Sequence, residues 1–518
     1  MTRWLYTTIH RRVLAAAFGM LALAASAQAD APLADLVQAG ERDAALQWLR
    51  KKADVHAAQA DGTTALHWAV HNVDVELTRA LLRRRADPNA MNAFGSTPLA
   101  EAVKLAHPEL VTLLLEAGAD ADAANPDGQT ALMLAARTGV VEVADALVRH
   151  GADVNARERW RRQTALMWAA GSGHADMTAF LIAAGADVEA RAAHNDWPNQ
   201  ITSEPRAQYR PTGGLTALLY AARSGCTRCV EHLLAAGADI DKPSPDGVTA
   251  LMIALDNMHF ATAAYLLERG ANPHLWDWWG RTALYIAVDM NSFRPRFGAP
   301  PPQPADGPRA IDIVRRLLAA GVDPNPQLNM HRPGRGGNSG RFTDDLLTTG
   351  ATPLLRAAVS FDDEAIRVLL EHGARVDLPN VMGVTPFMAA AGLGVSVRDP
   401  RGNYDGDVES RALATLEILR QAGADVNARV TDTSSRTARI ARPSSMTNRQ
   451  GQTALYGAIN WGWARVVQYL LDHGARVDIA DAAGKTPLDA VVGNAGGRDH
   501  KTVPEVVAMI EAASAAGA

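Results

Sequence analysis

Only two cysteines, Cys226 and Cys229, occur in the 518 residues, so a framework of disulfides cannot organise this chain. Aromatic residues make up 5%, too few for a core built on rings. Positive charge is not in surplus either. The 51 Lys and Arg are outnumbered by 56 Asp and Glu, for a net charge of −5. That balance argues against nucleic acid as a partner, since neutralising phosphates requires a basic excess. Beyond the N-terminus no apolar run approaches the roughly 18 residues of a membrane span. The phosphate-binding pattern G-x-x-x-x-G-K-[ST] is missing, as are H-E-x-x-H, G-x-S-x-G, and a G-x-G-x-x-G placed between strand and helix. No enzyme, cofactor or metal is therefore expected. What the chain does have is apolar material. Hydrophobic residues are 47% and charged residues 21%, which excludes an intrinsically disordered chain.

Residues 1–29 read as a targeting segment. Arg3, Arg11 and Arg12 supply a positive start, Val13 to Ala25 form an apolar run too short to span a bilayer comfortably, and Ala27-Gln28-Ala29 offers an A-x-A cleavage site. A periplasmic or secreted protein is expected.

From there to the end the chain repeats itself. A Thr-Ala-Leu or Thr-Pro-Leu phrase (Thr385-Pro386-Phe387 in one case) places its Thr at positions 64, 97, 130, 164, 216, 249, 282, 352, 385, 453 and 486. Most intervals are 33 residues. About 20 residues after most of them comes Gly-Ala-Asp, as at Gly118, Gly151, Gly185, Gly237 and Gly423. Segments such as DGQTALMLAARTGVVEVADALVRHGADVNAR resemble the ankyrin repeat closely, over nearly the whole of residues 30–518. The resemblance implies an all-α ankyrin-repeat solenoid of about twelve helix-turn-helix units with finger-loop insertions. Residues 30–61 and 485–518 would be its capping units.

The residues support that reading on their own terms. Leu132, Ala135 and Ala136 space as the buried stripe of one short helix, and Val140, Val143, Ala144 and Leu147 as that of a second. Gly139 separates them, Gly151 suits a helix C-terminus, and Asp127-Gly128 marks the finger turn. The repeated Thr is suited to cap the first helix. Three intervals are long, at 52, 70 and 68 residues. They place insertions near 191–213, 326–350 and 430–450 in fingers, and near 292–308 and 397–407 between paired helices. Insertions of this length are often functional.

Two groups of residues could carry chemistry. Cys226 and Cys229 lie at the start of a second helix, where they could be a structural disulfide of an exported protein or a redox pair with depressed thiol pKa. Asn403 to Asp407, with Asp399 and Glu409, lacks the full calcium-loop pattern and reads as a solvated acidic loop. Trp68 and Trp168 fall inside first helices and read as core. By contrast Trp160, Trp276, Trp278 and Trp279 fall in fingers, and Trp197 in the first insertion. In ankyrin proteins finger tips and the ends of first helices form the concave binding surface. Designed members of that family are varied at positions matching Arg159, Trp160, Trp278, Trp279 and Arg281. Together with Arg161, Trp197 and Trp276 these form the expected partner-binding set, because Trp and Arg are enriched at interface hot spots.

The expected function is a non-enzymatic scaffold outside the cytoplasm that binds a protein or peptide, with a glycan as a further ligand class. Two rivals are an exported effector recognising a host protein and a redox accessory using the cysteine pair. If the A-x-A site is cut, N-terminal sequencing of the protein from its native compartment should start at Asp30. An intact Met1 on cytoplasmic material would defeat the export reading.

Overall fold

The repeated Thr is where each first helix starts. Thr64, Thr97, Thr130, Thr164, Thr216, Thr249, Thr282, Thr352 and Thr385 sit at the N-cap in extended backbone, and each hydroxyl accepts the N–H three residues on. A cap of this kind stabilises a helix by about 1 kcal/mol, which matters for helices of five to nine residues such as these. The chain is described by a computed structural model over residues 32–51, 53–195, 212–292, 307–329, 346–394, 407–433, 449–493 and 503–516. The targeting segment, Trp197 and most of the five insertions lie outside the described residues.

Two compact units divide at Ala190/Arg191, where the first insertion starts. The first unit holds the helix pairs α1 (Pro32–Gln38) and α2 (Arg42–Arg50), α3 (Ala65–His71) and α4 (Val75–Arg83), α5 (Pro98–Lys104) and α6 (Pro108–Glu116), α7 (Ala131–Thr138) and α8 (Val141–Arg149), α9 (Ala165–Ser172) and α10 (Ala175–Ala183). The second begins with the short antiparallel pair β1 (His194–Asn195) and β2 (Thr212–Gly213). Its helices are α11 (Ala217–Ser224), α12 (Thr227–Ala235), α13 (Ala250–Asp256), α14 (Phe260–Glu268), α15 (Ala283–Asn291), α16 (Ala310–Ala319), α17 (Pro353–Val359), α18 (Asp363–Glu371), α19 (Pro386–Ala390), α20 (Val408–Gln421), α21 (Ala454–Trp461), α22 (Ala464–Asp472), α23 (Pro487–Gly493) and α24 (Pro504–Ala516). Among the described residues none of these helices is long and apolar enough to cross a membrane.

Within α7 and α8 the stripe is as the periodicity predicts. Leu132, Ala135, Ala136, Val143, Ala144 and Leu147 are all fully buried. Val140 differs: it is the N-cap of α8, half-buried, and outside the helix it was expected to join. Each buried Leu contributes about 1.5–3 kcal/mol, but only against a neighbouring pair.

Polar side chains set the register between pairs. Two residues past the third position of most Gly-Ala-Asp phrases and their variants stands an Asn or Asp that accepts a backbone N–H from the next repeat. Asn89 accepts from Asp120 N, Asp122 from Asp153 N and Asn155 from Asp187 N, at 2.7, 2.7 and 2.8 Å. Asn325, Asp377 and Asn427 do the same for the N–H groups of Arg375, Asp425 and Arg476, although an insertion separates each of those pairs in sequence. Stacking in the second unit therefore continues across its insertions.

One histidine joins this framework. His67 Nδ1 accepts the Thr64 N–H at 3.2 Å, which leaves the proton on Nε2 to be donated to Ser96 O of the next repeat at 3.0 Å. Burial lowers its pKa from the ordinary value, and Ser96 O, Glu101 and Asp61 oppose that only in part. A lowered folded pKa means the stability is present above the unfolded value of about 6.5 and is lost as pH falls below it. Thermal melting followed from about pH 7.5 to 5 should show a drop in Tm that becomes smaller in His67→Gln.

Candidate functional site

The fingers between helix pairs are built to one plan. Five residues before the capping Thr, an Asn or Asp carboxamide or carboxylate oxygen accepts the N–H groups two and four residues ahead. Asn92 holds Phe94 and Ser96, Asn125 holds Asp127 and Gln129, and Asn380 holds Met382 and Val384, all within 2.9–3.1 Å. Two residues before the Thr stands a glycine at positive φ, such as Gly95 and Gly128. A Cβ on Gly128 would lie 2.9 Å from the Arg159 backbone nitrogen, so both conformation and the approach of the next finger require glycine there.

The finger at 158–163 departs from this plan. The interval from Thr130 to Thr164 is 34 residues, and the extra residue lies in the turn. Glu158 replaces the usual Asn or Asp, and its longer arm reaches further. Its carboxylate, only 5% exposed, accepts the N–H groups of Trp160 at 2.7 Å, Arg161 at 2.6 Å and Gln163 at 3.1 Å. The glycine position is taken by Arg162 at φ +51°. A left-handed conformation costs a non-glycine residue about 1–2 kcal/mol. The result is a turn that holds Arg159, Trp160, Arg161 and Arg162 exposed. Trp160 is 70% exposed, its Nε1 donates to Asp127 at 3.0 Å, and the Arg159 guanidinium lies 5.8 Å from its ring centre. Two fingers earlier in the same unit, Phe94 and Met91 are also exposed.

In the second unit the finger around Trp276 to Arg281 has an outer and an inner face. Trp276 is 65% exposed and Trp278 37%. Trp279 and Arg281 are buried at 5% each, which corrects the expectation that both would face a partner. The cause is an ion-pair network. Asp277 Oδ1 accepts the Trp279 and Arg281 N–H groups, and its Oδ2 accepts Arg281 Nε at 2.7 Å. Asp256, at the end of α13, takes both Arg281 terminal nitrogens at 3.0 Å. Pulled across the turn, the guanidinium lies 5.2 Å from the Trp279 ring centre and covers it. Burial works against the Arg281 charge, but Asp256 and Asp277 outweigh it and hold the pKa above its ordinary value.

The structure joins Cys226 and Cys229 in a disulfide at the start of α12, with Cys226 at the N-cap and Cys229 buried. Of the acidic group near 399–409, Asp407 caps α20 and pairs with Arg465, and its pKa is held down at about 2, chiefly by Ser410. Among the described residues, no group of three or more His, Cys, Asp and Glu could hold a metal ion.

Of the expected partner-binding residues, the first unit presents Arg159, Trp160 and Arg161, and the second presents Trp276 and Trp278; Trp197 lies outside the described residues. Phe94, Met91 and Arg162 were missed in the sequence. Phe94 carries the signal that marked the tryptophans, an apolar residue in a turn where Asp127 stands one repeat later. Arg162 is legible as the position where the turn glycine is absent.

A family model for ankyrin repeats in three copies matches residues 33–125, 106–192, 200–277 and 218–295, and one for the single ankyrin repeat matches 450–482. A putative ankyrin repeat protein of fowlpox virus is 31% identical over 169 residues, which is 32% of this chain and 40% of that protein. The human mitochondrial disaggregase is 31% identical over 34% of this chain and 24% of its own length. Phosphocholine transferase AnkX of Legionella pneumophila is 27% identical over 31% of this chain and 13% of its own. The matched stretch is thus less than half of each relative. The solved human ASB11 ankyrin repeat domain has 23% sequence identity and a TM-score of 0.39, covering 47% of this chain and 99% of that one.

The network around Arg281 makes a sharp prediction. Arg281→Gln alone leaves Asp277 buried without its cation and should cost about 3–5 kcal/mol. Adding Asp277→Asn recreates the Asn125–Gln129 arrangement, in which the two side chains bond at 3.1 Å. Urea denaturation should show most of that loss recovered in the double variant.

Proposed function

Because the chain belongs to the ankyrin-repeat family, we propose that it is a non-enzymatic scaffold acting outside the cytoplasm, which captures a partner protein or peptide on its exposed finger turns. Ankyrin repeats serve as protein-interaction modules, and the finer reading rests on one observation. Trp160 and Trp276 stand 70% and 65% exposed, and the matching position in a neighbouring repeat holds Asp127 for Trp160 and Pro243 for Trp276. A half-solvated indole brings little to folding, whereas its burial on a partner contributes about 2–4 kcal/mol at a hot spot. The match to a transferase spans 13% of that protein, so its activity does not carry over to this chain. The Cys226–Cys229 disulfide and the N-terminal apolar segment support action in an oxidising compartment.

The test is a pair of substitutions with opposite expectations. Trp160→Ala with Trp276→Ala should abolish partner capture from periplasmic and membrane fractions while changing stability by about 0.5 kcal/mol per site or less. Trp279→Ala should instead lose about 3 kcal/mol or more, since it removes a buried ring. Capture that survives the double substitution, with circular dichroism melting unchanged, would move the binding surface away from the fingers.

A further inference from the structure

Resting on that reading, we infer that the finger at 158–163 is a receptor for an acidic segment of a partner protein, one carrying a bulky apolar side chain beside its carboxylates. Arg159, Arg161 and Arg162 are exposed, and no ion pair joins them to a carboxylate among the described residues. The acid nearest in sequence is already committed. Glu158 is buried in the turn and bonded to three backbone N–H groups, so it organises the arginines without neutralising them from outside. Asp127 accepts the Trp160 indole N–H, which holds the ring beside the guanidinium groups. This cationic tip stands on a chain whose net charge is −5.

The backbone points the same way. Arg162 occupies the left-handed turn position that is glycine at residues 62, 95, 128, 247, 280, 383, 451 and 484. Glycine would adopt this conformation without strain, and among the described residues the Arg162 side chain makes no ion pair that would compensate for it. Strain of this kind concentrates where a side chain serves binding. Guanidinium forks match carboxylates in pairs and remain charged at all working pH values. The ring supplies an apolar platform that a purely ionic surface lacks.

The experiment uses the full chain and a random dodecapeptide phage library, with selected peptides resynthesised and their affinity read by fluorescence anisotropy. Selected peptides should be rich in Asp and Glu with at least one large apolar residue. Arg159→Gln with Arg161→Gln, and separately Trp160→Ala, should each weaken them by about tenfold or more. Raising salt from about 0.05 to about 0.5 M should weaken wild-type binding by a similar factor, because the screening length shrinks. Arg162→Gly is the decisive variant: relief of strain should raise Tm while affinity falls about threefold. If Arg162 were only structural, Tm would fall instead, and unchanged affinity in this variant overturns its role. Peptides that need Trp160 but carry no acidic excess would overturn the acidic-partner inference and leave the docking reading intact. Peptides indifferent to every finger variant, or binding only by heparin and other polyanions that ignore Trp160, would overturn both.

Discussion

No helix pair in this chain can bury its apolar face alone, and every other feature depends on that constraint. Helices such as α5 and α7 have seven and eight residues, well short of the length at which an isolated helix holds in water. Caps and small core residues make stacking possible, but only a neighbour makes it stable. The Asn and Asp ladder then fixes how neighbours meet. One side-chain oxygen from the previous repeat accepts a backbone N–H of the next, and the recurrence of that bond keeps the repeats in register.

Because stacking and ladder do the structural work, the fingers are released from it, and there the repeats diverge. The same turn scaffold has been put to opposite uses. At Asp277 the turn carboxylate is joined by Arg281, and Asp256 anchors the other end of that guanidinium. The pair closes over Trp279 and turns a finger into a small second core. At Glu158 the carboxylate is spent wholly on backbone N–H groups. With no carboxylate left to draw the arginines inward, they and Trp160 stay at the surface. Whether Trp279 packs and Trp160 faces water is therefore decided by where each turn acid directs its lone pairs.

That rule explains what could be read from sequence. The repeat period, the Thr caps, the turn glycines and the buried stripe of α7 and α8 are local properties, and each is legible in a single repeat. Val140 was misplaced by one residue because an apolar N-cap and an apolar helix position look alike in a periodic pattern. Trp279 and Arg281 could not be separated from Trp278 by residue type, since their burial depends on Asp256, 25 residues away. Trp160 and Arg159 were legible because their exposure follows from the turn itself. The absence of glycine at Arg162 was equally visible, but it acquires meaning only against the other fingers.

The insertions follow from the same division of labour. Across them the ladder bonds still form, from Asn325 to Arg375 and from Asn427 to Arg476, so the added residues leave the stack undisturbed. Lengthening a finger costs little, since closure entropy grows only with the logarithm of loop length, at about 0.6 kcal/mol per doubling. Lengthening a helix by the same amount would break the register of buried Leu and Ala against the next pair. Change is therefore cheap in the connections between helices and expensive within the helices. An array of this design adapts by altering its turns, and the single extra residue between Thr130 and Thr164 is the smallest instance of that process. With it come a Glu in place of the usual Asn, an Arg in place of the turn glycine, and three arginines and an indole on one turn.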